Sequence, residues 1–344
     1  SQSRSNRRHA TPTDRCRSAV GVVPSPTKCL FRHVTFAHRP VKDKCYNTDM
    51  YHEDDFAFVE GLLNEQPLDD FYGLSAAQMS QLLHNPFEAD CMTISYPADI
   101  TTDEVPLLKL LKRLDELAIP APLKLYASGN LAPEVWSMLL KELHPEEHKR
   151  WFEIYKRPPY RLFLELTALQ DLLGMAKLLI PKRKGFALRT PYDKRKPCDW
   201  FQRLIVPAMD RYNWNHRNLY TFEGDEVQYE YEFYIIYLVS LTKGEFQTGE
   251  ISEQWKTAFE TGSKIYDPYA ILRMLEFFGL TKSMHDGIIR GPYVKTPLFD
   301  RVFKFTPAAP FDPMVRIKNH TQDPARQKEL ANLYKQFAES RGLH

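Results

Sequence analysis

The chain has 344 residues, of which 43% are hydrophobic and 26% are charged, a composition typical of a globular protein with two or three domains. Its net charge of +2 is unevenly distributed: residues 1–48 hold ten Lys and Arg against Asp14 and Asp43, whereas the rest of the chain holds 36 Lys and Arg against 42 Asp and Glu. An acidic body disfavours a dedicated nucleic-acid binder, because phosphate neutralisation supplies most non-specific affinity for nucleic acids. No run approaches the roughly 18 apolar residues of a bilayer span, so no membrane contact is expected.

Residues 1–48 are predicted to form a disordered basic arm, because they are rich in Ser, Thr, Pro and Arg and show no sustained hydrophobic period. Their cysteines, Cys16, Cys29 and Cys45, lack the close spacing that organises a zinc site, so no metal is expected there. No apolar stretch of signal-peptide length follows the basic N-terminus. The five cysteines of the chain are scattered and odd in number, which fits reduced thiols. We therefore expect a cytoplasmic protein.

Residues 49–145 are predicted to form a helical region with a helix-turn-helix theme. Ser75 is a candidate N-cap for a helix that stops before Asn85 and Pro86. Further helices are expected over residues 105–117 and 133–143, with a short extended segment at 123–126 between them.

A faint internal repeat is the most informative pattern in the chain. Residues 173–193 (LGMAKLLIPKRKGFALRTPYD) and 278–300 (FGLTKSMHDGIIRGPYVKTPLFD) both contain Gly, then Lys, a turn-rich gap, Thr-Pro and Asp. Each copy follows an apolar helical run and looks like the end of a winged helix, where a helix stops and a short hairpin folds back beside it.

The expected fold is therefore mainly α, with a helical N-terminal region and two winged-helix-like modules that carry short β-hairpins. The first module with its connection is placed at residues 146–225, in which 197–225 are expected to be an irregular connection. The second module is placed at 226–320. A C-terminal amphipathic helix within 321–344 is predicted to begin at Asp323 and Pro324.

Three stretches resemble an uncharacterised bacterial family. They are residues 68–75 (LDDFYGLS) with Gln78, Met79, Pro86 and Phe87, residues 123–131 (LKLYASGNL), and the Gly-to-Thr-Pro segments of both repeats. Some members of that family carry the small zinc knuckle also found at the end of the SecA translocase, with a Cys-x-Cys and an adjacent Cys pair. This chain has no Cys-x-Cys, so the resemblance implies a fold and neither a metal nor a reaction.

The hairpin of the first repeat is a candidate nucleic-acid-binding element. Its cations are Lys182, Arg183, Lys184, Arg189, Lys194, Arg195 and Lys196, and Phe186, Tyr192 and Trp200 lie among or beside them. Cations that track phosphates and rings that stack on bases suit such a role. The preceding helix, however, offers Glu165 and Asp171 to a DNA groove, where carboxylates would repel phosphates. A solvated hairpin that faces a protein partner is the alternative.

Residues 144–148 (HPEEH) match the His-x-x-Glu-His pattern of inverted zinc peptidases, in which His144 and His148 would hold a metal while Glu147 activates water. Pro145 opposes this interpretation, because a helix break between the two histidines would spoil their shared face. Residues 244–250 (GEFQTGE) have the glycine spacing of a phosphate loop, but Glu250 stands where a Lys is required. No nucleotide or other cofactor is therefore expected.

These patterns favour a non-enzymatic binding or regulatory protein that uses its modules for protein docking or DNA contact. The alternative is a metal-dependent hydrolase centred on His144, Glu147 and His148. The partner, protein or DNA, stays open at this point.

Overall fold

The computed structural model describes residues 51–126, 129–159, 163–180, 185–212, 232–259, 268–284 and 291–341. The basic arm predicted at residues 1–48 lies outside them, and the described residues all fall in one unit, Asp43–His344. This part of the chain is mainly helical, as expected, with a few short antiparallel strand pairs.

The helices of the described residues run in the following order: α1 (Glu53–Glu65), α2 (Ala76–His84), α3 (Pro106–Ala118), α4 (Pro133–Leu143), α5 (Pro145–Ile154), α6 (Leu164–Met175), α7 (Pro197–Asp210), α8 (Glu232–Leu241), α9 (Thr248–Phe259), α10 (Tyr269–Phe277), α11 (Pro297–Val302), α12 (Pro313–His320) and α13 (Pro324–Ser340). Two of the predicted N-caps are confirmed. The Ser75 side chain accepts a hydrogen bond from the Gln78 backbone N–H at the start of α2, and the Asp323 side chain accepts one from the Ala325 N–H at the start of α13.

The strands are β1 (Met92–Ile94), β2 (Leu123–Lys124), β3 (Gly185–Phe186), β4 (Glu245–Phe246), β5 (Thr281–Ser283), β6 (Tyr293–Lys295) and β7 (Phe303–Phe305). They form three small antiparallel sheets, β1 with β7, β2 with β3, and a three-stranded sheet in the order β4-β6-β5.

The first and last helices of the described residues share a hydrophobic cluster. Its buried residues come from α1, α12 and α13 alone: Val59, Leu62, Leu63, Ile317, Leu330, Leu333 and Ala338. The cluster is held further by Arg326, which pairs with the buried carboxylate of Asp55. We call these three helices the terminal helical cluster.

Two stretches of the chain, which we call the first and the second unit, have a similar order of elements, although the first contains one helix more than the second. In the first unit the order is helix α3, strand β2, helices α4, α5 and α6, and then a hairpin. Strand β2 pairs with β3, and Leu179 bridges to Leu188 within the hairpin. In the second unit the order is helix α8, strand β4, helices α9 and α10, and then β5 and β6, with β6 between β4 and β5. In both units, therefore, the strand after the first helix pairs with the last strand of the hairpin.

Matching backbone hydrogen bonds fix the register between the two units. The Leu178 N–H donates to Leu173 O at 2.9 Å, and the Leu280 N–H donates to Leu275 O at 2.8 Å. Within each hairpin, Arg189 N–H reaches the Leu178 carbonyl and Thr296 N–H reaches the Leu280 carbonyl. These hydrogen bonds show that Leu178 in the first unit is equivalent to Leu280 in the second, and that Arg189 is equivalent to Thr296.

This register differs from the one that the sequence repeat suggested. The left-handed residue after the helix is Lys177 (φ 55°) in the first unit and Gly279 (φ 70°) in the second. In the structure Gly279 therefore corresponds to Lys177. The sequence alignment of the two repeats pairs it with Gly174 instead. Thr296 likewise corresponds to Arg189 and not to Thr190, because the backbone N–H groups of Thr296 and Arg189 donate to the equivalent carbonyls of Leu280 and Leu178.

Two elements depart from the expectations. The segment expected to be irregular contains α7, whose buried positions Trp200, Phe201, Leu204 and Ala208 follow a helical period and whose internal Pro207 does not end the helix. Residues 213–225 of that segment lie outside the described residues. Helix α12 was not predicted from the sequence, although Asp312 caps it and Pro313 opens it, the same Asp-Pro signal that starts α13.

Candidate functional site

The last helix before the hairpin of each unit, α6 in the first and α10 in the second, is buried on nearly every side. In α6 the buried residues include the polar Glu165 and Thr167 as well as its leucines. In α10 every residue is buried except Tyr269, Arg273 and Glu276, which are half-buried. A helix that reads DNA bases must offer a free polar face to the major groove. Neither helix offers such a face.

The basic segment of the first hairpin is only partly described. Lys182, Arg183 and Lys184 lie outside the described residues. Arg189, Lys194 and Lys196 are exposed, and Lys194 lies 3.8 Å from the exposed carboxylate of Asp193, a contact that water screens. We call Arg189, Lys194 and Lys196 the exposed basic segment.

Arg195 has a different environment from its neighbours. Its guanidinium lies 5.7 Å from the centre of the Trp200 ring, within cation–π range, and its Nη2 donates to Thr190 Oγ1 at 3.4 Å. Arg195 therefore packs on the body of the protein, and it is not one of the exposed cations that the sequence grouped it with.

The aromatic residues near the basic segment are also occupied by packing. Phe186, Tyr192 and Trp200 are buried, and the rings of Tyr192 and Trp200 stack at 5.9 Å. The Trp200 indole N–H donates to Tyr192 O at 2.9 Å, and the Tyr192 N–H donates to Asp115 Oδ2 at 2.6 Å. These rings hold the segment against α3 and α7, so they present no face to a nucleic-acid base.

The His-x-x-Glu-His segment is split by the junction of α4 and α5. His144 is both the C-cap of α4 and the N-cap of α5, whereas His148 lies one turn into α5. The His144 imidazole Nε2 lies 2.6 Å from the buried carboxylate of Glu165, while His148 Nε2 lies 3.2 Å from Ser137 Oγ. Glu147 accepts a hydrogen bond from the Trp151 indole at 3.2 Å. The three side chains thus have three different partners.

The electrostatic environments of the two histidines also differ. Burial alone would lower the pKa of His144, but the hydrogen bond and charge of Glu165 outweigh it, with help from Glu147 and opposition from Arg273, and the pKa is raised. Burial, and then the charge of Lys141, lowers the pKa of His148. Within the described residues, no three His, Cys, Asp or Glu side chains lie close enough to hold a metal.

The buried thiol of Cys91 offers little chemistry. Burial raises the pKa of Cys91 to about 11, so this thiol stays protonated and weakly nucleophilic at neutral pH. Its Sγ contacts the Gln78 carbonyl oxygen at 3.9 Å, which fits a packing role.

One exposed apolar surface escaped the sequence analysis. Phe152, Ile154 and Tyr155, at the C-terminal end of α5, are 38%, 58% and 41% exposed. The signal was present: an aromatic and apolar run followed by Lys156 and Arg157, just before a Pro pair that must end the helix.

Comparisons with protein-family models, with curated proteins and with solved structures give no match to this chain. The family resemblance drawn from the sequence motifs stays a prediction. Among the described residues, no helix combines the length and the apolar character that crossing a bilayer requires.

Proposed function

We propose that this chain is a non-enzymatic docking protein built on two winged-helix units, whose exposed surfaces bind another protein. The two units would comprise α3 to the hairpin that contains β3, and α8 to β6. Their support is a strand pairing that both units share, β2 with β3 and β4 with β6, in which the strand after the first helix pairs with the return strand of the hairpin, as in a winged helix.

The observation that carries the proposal is the burial of α6 and α10. A winged-helix unit that reads DNA uses the helix before its hairpin for base contacts, and here that helix, α6 or α10, is part of the core in both units. The burial of Tyr192 and Trp200 also removes the rings that would stack on single-stranded bases. Protein docking through loops, hairpins and helix ends requires neither an exposed α6 or α10 nor exposed rings of Tyr192 and Trp200.

A salt titration with a mixed-sequence DNA duplex tests the exclusion of DNA. We expect no appreciable binding at physiological salt, measured by fluorescence anisotropy with the full chain. DNA binding would contradict this expectation if its affinity fell by orders of magnitude between about 50 and 200 mM salt. That binding would also have to be lost in the triple variant Arg189→Ala, Lys194→Ala, Lys196→Ala. A matched triple variant, Lys318→Ala, Lys328→Ala and Lys335→Ala, removes the same charge from exposed positions of α12 and α13.

Purification of the native protein from its cells, with and without nuclease treatment, tests the docking function. We expect a protein partner that survives nuclease and copurifies in constant ratio. A stoichiometric transition metal that a His144→Ala variant loses would instead support a hydrolase and contradict this proposal.

A further inference from the structure

We propose that the C-terminal end of α5 is a docking site for an acidic, amphipathic segment of a partner protein. This inference rests on the docking function proposed above and assigns it a surface. The site, which we call the α5 end, consists of Phe152, Ile154 and Tyr155 together with the cations Lys149, Lys156 and Arg157.

The apolar part of the α5 end consists of three neighbouring residues where the helix ends. Phe152 and Ile154 belong to the last turn of α5, and Tyr155 is its C-cap. The turn is anchored from below: the Tyr155 ring lies 6.0 Å from the buried Trp151 ring, and the Phe152 ring stacks on His148 at 4.3 Å. All six consecutive residues 152–157 are nevertheless exposed. Exposed apolar side chains held in place by a core beneath them are typical of protein interaction sites.

The charges around this group indicate the chemistry of the occupant. Lys149, Lys156 and Arg157 are exposed, and none of them forms a salt bridge with the residues that the structure describes. The negative end of the α5 dipole offsets part of the charge of Lys156 and Arg157, but their head groups remain open to solvent. Three exposed cations close in sequence to exposed apolar side chains favour a partner segment that carries both carboxylates and apolar anchors.

An anionic membrane surface is a different class of occupant with similar chemistry, and the same helix disfavours it. Glu153 lies between Phe152 and Ile154 and is exposed, and Glu146 is exposed at the other end of α5. Both carboxylates would be repelled by anionic lipid headgroups. A peptide segment can place its carboxylates beside the cations of the α5 end and away from Glu146 and Glu153.

Selection of a phage-displayed library of random peptides on the full chain tests the inference. We expect enrichment of peptides that combine net negative charge with aromatic or aliphatic residues. The affinity of an enriched synthetic peptide should fall by about tenfold or more in Ile154→Glu, and also in the double variant Lys156→Glu, Arg157→Glu. These side chains are exposed, so circular dichroism and thermal melting should match those of the parent protein.

Matched substitutions at another exposed site provide the control. Val315→Glu and the pair Lys318→Glu, Lys328→Glu make equivalent changes on α12 and α13 and should leave the affinity unchanged. The inference is overturned if no peptide is enriched, if the enriched peptides are neutral or basic, or if the α5 variants bind as well as the controls. Binding to phosphatidylserine vesicles that Ile154→Glu abolishes, without peptide enrichment, would overturn it in favour of a membrane. Sequence-selective DNA binding would instead contradict the proposed function itself.

Discussion

His144 and His148 lie one helical turn apart, and their environments shift their pKa values in opposite directions. The carboxylate of Glu165 favours the charged form of His144, whereas burial and Lys141 favour the neutral form of His148. At the residue scale this contrast gives two predictions of opposite sign from one short segment.

We expect the stabilising contribution of His144 to be fully present below its unfolded-state pKa of about 6.5 and to disappear as the pH rises through its raised folded-state pKa, because the folded state then loses its extra proton. The free energy of unfolding should therefore fall more in His144→Gln at pH 5 than at pH 8. Urea denaturation across that range measures the difference. His148→Gln is the control: its folded-state pKa is lowered, so the wild-type residue costs stability at low pH, and the variant should gain relative stability there. Parallel pH profiles for the two variants would contradict the assigned environments.

Gly279 and Gly174 look equivalent in the sequence repeat but occupy different backbone conformations. Gly279 has a φ of +70°, and a Cβ there would lie 2.0 Å from the Glu104 carbonyl oxygen, whereas a Cβ at Gly174 would meet no atom within 4 Å. The backbone at Gly279 therefore depends on the absence of a side chain, and the backbone at Gly174 does not.

We expect Gly279→Ala to lower the free energy of unfolding by about 2 kcal/mol or more, because a left-handed residue with a Cβ costs roughly 1–2 kcal/mol and the carbonyl must also move. Gly174→Ala, in the exposed part of α6, should raise it by about 0.5–1 kcal/mol, since Ala loses less backbone entropy in a helix. Thermal and urea denaturation measure both. Equal effects at the two glycines would show that the register assigned to the repeats is wrong.

At the scale of the elements, α1 and α13 are joined by an ion pair at their N-terminal turns. Arg326 pairs with Asp55, and Asp55 also accepts the His52 N–H at 2.9 Å in the capping box of α1. The Asp55 side chain is only 6% exposed and that of Arg326 is 25% exposed. Loss of the arginine would leave a carboxylate desolvated without its cation.

Arg326→Ala is therefore expected to cost about 1–3 kcal/mol, the usual range for a charged hydrogen bond whose remaining partner stays buried. Lys335→Ala on the same helix is the matched control: its pair with Glu339, at 3.9 Å, is largely exposed, and its loss should change stability by less than about 1 kcal/mol. Urea denaturation compares the two variants. A similar cost for both would mean that burial of Asp55 does not strengthen the pair.

At the scale of the whole molecule, the terminal helical cluster has its own hydrophobic core, although its helices come from the two ends of the described chain. Structural units with separate cores open locally with their own free energies. The α5 end, α6 and α10 lie outside this cluster.

Leu333→Ala should therefore weaken the terminal helical cluster by about 2–5 kcal/mol and leave the rest unchanged. Native-state hydrogen exchange would show lost protection in α1, α12 and α13 but not in α8. Leu238, fully buried in α8, provides the comparison, since Leu238→Ala should lower protection in α8 directly. Loss of protection in α8 upon Leu333→Ala would show that the cluster unfolds together with the rest of the chain.

The sequence determined the local structure of this protein. Ser75 and the Asp-Pro pairs start helices because a cap depends on side chains within the next three residues, and the hairpin of the first repeat forms where its apolar pairs face each other. The mainly helical fold followed from these signals. The missed helix α7 carried a helical apolar period too, but its aromatic residues and Pro207 obscured the pattern.

Only the tertiary structure decided which side chains are free to act. Glu165 was judged a groove-facing carboxylate from its place on α6, yet it is buried against His144, and Trp200 was grouped with binding residues although it lies in the core. Burial and partner choice depend on elements farther away in the chain, such as α3 beneath Tyr192 or α6, whose Glu165 pairs with His144. Spacing along the sequence contains no such information, because it records neighbours only within one helix or hairpin.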